Sequence, residues 1–285
     1  MPAEFWNRLS ELIGNLVRST GRTQFILDFD GTIAPIVPVP SQARLDPIIL
    51  AVLPRICETA DLTILSGRPA EFLVDQLSFL KSAKNAANIR IFGHYGLESV
   101  DIFGHLLSRF EPDPGEVVLL DQMKQIWLNS PIPGILFEDK GYSIAFHFRN
   151  AQDQRALLLD WIDLNLPTHG LAIRPGKMVY EVAPGSAPTK ETTVMAAISG
   201  HKRAIFAGDD YGDMGVFQLF RESQATGLKT ISILVQGGFE TPPELLSICD
   251  IAVPNSAMLG FVLDRIYRVL FLSQLGFEAP NESAR

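Results

Sequence analysis

Three short apolar runs in this chain end on residues equipped for chemistry. Gln24 to Phe29 runs into Asp28-Phe29-Asp30-Gly31-Thr32, Leu62 to Leu65 ends at Ser66-Gly67-Arg68, and Arg203 to Ala207 stops at Gly208-Asp209-Asp210. Two aspartates one residue apart at a strand end send both carboxylates into the same space, where they repel unless a cation lies between them. Asp28 and Asp30, with Asp209 and Asp210 as further acids, therefore predict a hard divalent metal held by oxygen ligands. A single aspartate after a strand usually caps the next helix. Four at one sheet edge do not share that explanation.

The elements that must position these groups follow a regular rhythm. Phe5, Leu9, Leu12, Ile13, Leu16 and Val17 recur at helical spacing and are broken by Gly21. The run at 24–29 has the look of a strand buried on both faces. A Pro-rich loop, a helix over 47–59, the strand at 62–65, a second helix and a strand at 89–92 follow. This β-α-β-α-β alternation predicts an α/β fold with a doubly wound parallel sheet. Ligands in such sheets bind beyond the carboxyl ends of the strands, so the three polar clusters should meet at one edge.

From about Gly96 to Pro184 the rhythm changes. A short hairpin (97–100 with 106–110), a helix over 116–129, strands at 134–138 and 142–148 joined by Asp139-Lys140-Gly141, a helix over 151–164 and strands at 171–173 and 178–182 predict an α+β unit with helices on one face. The helix from Thr189 then restores the first pattern. The expected organisation is a catalytic core at 1–95 and 186–285, interrupted by a cap at 96–185.

Composition narrows the function. A formal charge of −8 over 285 residues argues against a nucleic-acid partner, which would require a basic face. Cys57 and Cys249 are isolated and read as thiols. Arg8 and Glu11 interrupt the first apolar stretch, and 261–277 carries Asp264, Arg265 and Arg268, so neither a signal peptide nor a membrane segment is expected. The chain reads as cytoplasmic, with a small molecule as its partner.

Asp28-x-Asp30-Gly31-Thr32 after a buried strand resembles the first motif, D-x-D-G-T, of the haloacid dehalogenase superfamily of phosphatases. The resemblance implies that Asp28 is a nucleophile forming an aspartyl-phosphate and that Asp30 is the acid and base, oriented by Thr32. Ser66 would bind phosphoryl oxygens, flanked by Gly67 and Arg68. Lys190 would supply a cation beside the nucleophile, and Asp209 and Asp210 would complete a Mg2+ site. Taken by itself, Lys190 reads more readily as a solvated surface lysine, and only its place in the motif series raises it.

The insert lies where that superfamily carries its type C2 cap and is similar to the cap of trehalose-6-phosphate phosphatases. Gly96-Leu97-Glu98 after the third strand, Glu138-x-Lys140, the run Ile144-Ala145-Phe146-His147-Phe148-Arg149, and Gly176-Lys177-Met178-Val179-Tyr180-Glu181 before Pro184 carry this likeness. It implies a sugar-phosphate ligand met by Lys140, His147, Arg149, Lys177 and Glu181, groups whose chemistry suits hydroxyls and phosphate. Lys140 reads equally as a hairpin-tip charge, and His147 as a half-buried strand histidine. The fourth motif, usually G-D-D-x-T-D-E-D, here reads Gly208-Asp209-Asp210-Tyr211-Gly212-Asp213-Met214-Gly215, and Glu191 stands where glycine is common. These departures leave the sugar open between trehalose 6-phosphate and sucrose, glucosylglycerate or mannosylglycerate phosphates. A phosphosugar mutase shares the nucleophile. A phospho-acceptor switch shares the metal and lysine but has no use for Asp30 or a cap.

Overall fold

The computed structural model describes residues 1–176, 178–237 and 243–277. In chain order its elements begin with α1 (Ala3–Val17), β1 (Thr23–Asp28), α2 (Pro47–Thr59), β2 (Ala60–Leu65), α3 (Ala70–Gln76) and β3 (Ile89–Gly93). Next come β4 (Glu98–Asp101), β5 (Leu106–Arg109), α4 (Pro114–Asn129), β6 (Leu136–Asp139), β7 (Ile144–His147), α5 (Arg155–Asn165), β8 (Leu171–Gly176) and β9 (Val179–Pro184). The chain closes with α6 (Lys190–Ile198), β10 (Arg203–Gly208), α7 (Met214–Ser223), β11 (Lys229–Val235), α8 (Pro243–Ile248), β12 (Ile251–Val253) and α9 (Ser256–Gln274). It divides into two compact units, 1–109 with 189–285, and 110–188.

Among the described residues the first unit holds one sheet in the order β12-β11-β10-β1-β2-β3-β4-β5. The pairings from β12 to β3 are parallel, and β3-β4 and β4-β5 are antiparallel. All six residues of β1 are buried, as a strand covered on both faces requires. Phe25 and Leu27 face a core shared with α1, α2, α3 and α9. Ile26, with Phe206 of β10, faces α6, α7 and α8. The sheet is thus doubly wound. Because β2 and β10 flank β1 on opposite sides, the winding reverses there, which is where such folds open a ligand crevice.

The expected boundary needs one correction. The hairpin of β4 and β5, assigned by pattern to the insert, extends the large sheet through β3, pairing Phe92 with Ser99. Two short antiparallel strands look alike in sequence whichever sheet receives them, and only the partner edge decides.

The second unit carries the sheet β6-β7-β9-β8, antiparallel throughout. Ile144, Phe146, Tyr180 and Val182 form one face and pack with Leu120, Met123 and Trp127 of α4 and Leu158 and Ile162 of α5. The Trp127 ring meets Phe146 and Trp161 edge-on at 4.7 and 4.9 Å. Both helices therefore cover one face, as the segment's pattern predicts.

No helix among the described residues is long and apolar enough to cross a membrane. The stretch over 261–277 lies mostly in α9, whose inner side buries Leu259, Val262, Leu263, Ile266 and Leu270. Cys57 is buried in α2, and that burial pushes its thiol up to about 12, with Arg22 opposing only in part. At pH 8 only about one thiol in ten thousand would be ionised. Iodoacetamide at that pH should therefore label Cys57 only after unfolding, as read by peptide mass spectrometry. Rapid modification of the native protein at Cys57 would contradict this packing.

Candidate active site

Strand register explains how residues distant in sequence come together. Asp28 is paired with Leu65, which places Ser66 one step beyond it, while Leu27 pairs with Ala207, so Asp209 follows just past the same level. The chain then turns tightly after Asp28. Gly31 adopts φ +78°, its N–H donates to the Ala34 carbonyl at 2.8 Å, and the N–H groups of Ile33 and Ala34 both donate to the Phe29 carbonyl. A Cβ on Gly31 would stand 2.1 Å from Asp209 Oδ2, so glycine is required on grounds of both conformation and space.

The first residue of α6, Lys190, is buried and donates to Asp28 Oδ1 at 3.0 Å and to Asp213 Oδ1 at 2.7 Å. Thr189 caps this helix and fixes where the lysine leaves the backbone. Asp213 is fully buried, and its other oxygen accepts from the Asp209 and Asp210 N–H groups at 2.9 and 3.3 Å. The lysine is thus no solvated surface charge. Asp213, which the sequence offered only as one residue of the fourth motif, lies at the centre. Its signal was its position four residues after Asp209, within reach once a single helical turn follows the strand.

Charge does not balance at this point. Asp28, Asp209 and Asp213 are buried and each offers an oxygen within 4.8 Å of the others, against the one ammonium of Lys190. Burial pushes Asp28 well above the usual carboxylate range, with Lys190 pulling down and Asp213 and Asp210 pushing up. Burial, with Asp28 as the next contributor, raises Asp209 to about 9. For Lys190 burial acts to lower its value, but the Asp213 and Asp28 carboxylates hold the ammonium well above its ordinary range. Three hard oxygen donors and one cation leave a deficit that a divalent ion fits.

This converging trio differs from the set Asp28, Asp30, Asp209 and Asp210 expected from the motif. Asp30 lies beyond the strand in the turn, and both its carboxylate oxygens accept from Arg68, at 2.8 Å from Nε and 2.6 Å from Nη2. Asp210 accepts from the Gly212 N–H, closing the turn before α7. Neither joins the converging trio among the described residues. The Thr32 hydroxyl donates to Asp28 Oδ2 at 3.4 Å and not to Asp30, because the turn folds it back beside the strand end. Ser66 Oγ is buried and accepts from the Arg68 N–H across Gly67. The two motif departures meet as well: a Cβ on Gly215 would lie 1.7 Å from Glu191 Oε1, so the Glu191 carboxylate fills the space that a side chain at 215 would take.

In the second unit Glu138, Ala145, Glu181 and Arg174 pair across β6, β7, β9 and β8 and so share one row on the face opposite α4 and α5. Glu181 accepts from Lys140 Nζ at 3.0 Å and from Ser143 Oγ at 2.5 Å. His147 meets Glu138 at 2.9 Å. Arg149 is exposed just after β7. Lys177 lies outside the described residues.

The fold and this cluster at its carboxyl edge define a haloacid dehalogenase-type architecture, and solved structures agree. The C-terminal domain of the C. albicans trehalose-6-phosphate phosphatase aligns with a TM-score of 0.66 at 17% identity, covering 91% of this chain and 96% of that domain. The profile of the trehalose-phosphatase family matches residues 26–238, and the chain belongs to that family. A bifunctional trehalose-6-phosphate synthase/phosphatase of Thermoproteus tenax is 30% identical over 214 residues, 72% of this chain but only 28% of that relative's own length. A probable trehalose-phosphate phosphatase of Sinorhizobium fredii is 29% identical over 201 residues, 67% of this chain and 71% of the relative.

Proposed function

We propose that this protein hydrolyses a sugar phosphate, trehalose 6-phosphate foremost, to the free sugar and inorganic phosphate. The observation that carries the reading is the buried junction of Asp28, Lys190, Asp209 and Asp213 at the sheet's carboxyl edge. The family supplies the sugar.

The Asp28 carboxylate attacks phosphorus and the sugar oxygen leaves, taking its proton from Asp30. Water, giving a proton back to Asp30, then attacks the aspartyl-phosphate, releasing phosphate and restoring Asp28. Lys190, held between Asp28 and Asp213, offsets the negative charge gathered at the nucleophile. Thr32 fixes the rotamer of Asp28 through its hydrogen bond. Ser66 and Gly67 border the phosphoryl position. Asp30 becomes available when Arg68 leaves it, and we assign Arg68 to the substrate's phosphate or hydroxyls at that moment. Asp28, Asp209 and Asp213 would hold Mg2+, which when bound supplies Lewis-acid polarisation of a phosphoryl oxygen. Glu181, Lys140, His147 and Arg149, with Lys177 on the strength of the family likeness, are assigned to the sugar, making 110–188 the unit that selects the substrate.

The test is phosphate release across trehalose 6-phosphate, sucrose 6-phosphate, glucose 6-phosphate and glucosylglycerate phosphate with magnesium. Trehalose 6-phosphate should exceed the others in kcat/KM by about tenfold or more, about 1.4 kcal/mol of discrimination. Chelation should abolish turnover and added magnesium restore it. Preference for another of these substrates would keep the chemistry and discard the sugar, whereas no release from any would reject the reading.

A further inference from the structure

The segment that follows β3 belongs to this site, although its Tyr95 carries no sequence signal of its own. His94, Tyr95 and Gly96 take φ of 48°, 59° and 106°, three left-handed residues in succession. Among the described residues only one other non-glycine, Met178, adopts positive φ. A backbone of this kind is costly for residues with a Cβ and persists where the surroundings impose it. The imposing contacts are specific. The His94 N–H donates to the Arg68 carbonyl at 3.0 Å, the Tyr95 N–H donates to the Ser66 carbonyl at 2.9 Å, and Thr193 Oγ1, three residues after Lys190, donates to the Tyr95 carbonyl at 3.3 Å. The turn is thus stapled to the Ser66-Gly67-Arg68 loop on one side and to α6 on the other.

The strain delivers the Tyr95 ring to a defined place. A Cβ on Gly67 would stand 2.5 Å from Tyr95 Cζ and Oη, so the ring fills the side-chain space of Gly67. Lys190 Nζ lies 5.3 Å from the ring centroid. One aromatic ring therefore presses on the loop that borders the phosphoryl position and faces the ammonium that serves the nucleophile. Its quadrupole attracts that ammonium in a buried setting.

We propose that Tyr95 is a positioning residue for phosphoryl transfer, its ring holding the Lys190 ammonium between Asp28 and Asp213 and seating the Gly67 loop. This rests on the phosphatase reading for its kinetic consequence, but the packing it asserts does not. Tyr95→Leu removes the ring at similar bulk. It should lower kcat about tenfold to thirtyfold with KM for the sugar phosphate changed less than threefold, and Tyr95→Phe should recover most of that loss. In parallel, 13C-lysine labelling with Lys190→Met for assignment should show the Lys190 ε-methylene shifted by the ring current in the wild type and in Tyr95→Phe. The shift should vanish in Tyr95→Leu.

A kcat in Tyr95→Leu within twofold of the wild type, measured where both are folded, would overturn the proposal, as would an equal loss in Tyr95→Phe. A Lys190 signal that ignores the loss of the ring would overturn it without reference to turnover. A wild type that releases no phosphate would count against the phosphatase reading alone, and the Lys190 signal would still decide the role of Tyr95.

Discussion

Asp28→Asn should lower phosphate release by about ten-thousandfold or more while leaving the protein at least as resistant to heat as the wild type in metal-free buffer. Both halves follow from one geometry. The amide keeps the size of the carboxylate, and its one oxygen can still accept from Lys190 Nζ as Oδ1 does at 3.0 Å, while its NH2 group takes the place of Oδ2 and donates to the Thr32 hydroxyl, which accepts as well as donates. It has no charge with which to attack phosphorus, and deletion of a nucleophile commonly costs a factor of this order. The stability gain comes from the crowd around the site. Asp28, Asp209 and Asp213 are buried together with one ammonium, and removing one like charge from such a group relieves both repulsion and desolvation. Steady-state phosphate release and thermal melts with and without magnesium measure the two halves. Turnover above about a hundredth of the wild type would remove Asp28 from the nucleophile's role. A melting point several degrees lower in metal-free buffer would mean that the ionised carboxylate serves a structural purpose this geometry does not show.

The parts that sequence rendered readable were those set by repetition and burial. A strand such as Phe25-Ile26-Leu27 announces itself because both its faces are covered, and polar residues directly after such strands must gather at one edge. Asp28, Ser66 and Asp209 were therefore placed by topology as much as by motif, whereas Lys190, at the start of a helix, rested on the motif series alone. What stayed hidden depended on dihedral angles within single turns. Asp28-x-Asp30 looks like a pair of ligands until Gly31 folds the chain back, after which Arg68 takes Asp30 and Thr32 returns to Asp28. Asp213 entered the centre through one short helical turn after Asp209. Tyr95 had no signal whatever, because a left-handed tyrosine is produced by the contacts around it and not by its own preference. The hairpin of β4 and β5 shows the same limit at larger scale, since alternation defines strands but not the edge they join.

Lys190→Met should destabilise the first unit by about 3–5 kcal/mol, and it should also abolish measurable turnover. Methionine matches the length and unbranched shape of the lysine stem, so packing along α6 is nearly preserved. The loss is the ammonium. Its two partners, Asp28 and Asp213, are buried, and their oxygens at 3.0 and 2.7 Å would then face each other and Asp209 without a counter-charge. An uncompensated buried charge is what makes breaking such a pair so much worse than never having built it. This cause differs from a packing defect in one measurable respect. A divalent cation bound by Asp28, Asp209 and Asp213 would supply positive charge to the same carboxylates, so magnesium should raise the melting point of Lys190→Met more than that of the wild type. A void left by a shortened side chain would give no such difference, because an ion held by the carboxylates does not fill it. Chemical denaturation with and without magnesium therefore separates the two explanations. An equal magnesium increment in both proteins would show that Lys190 and the ion do not answer the same excess of negative charge.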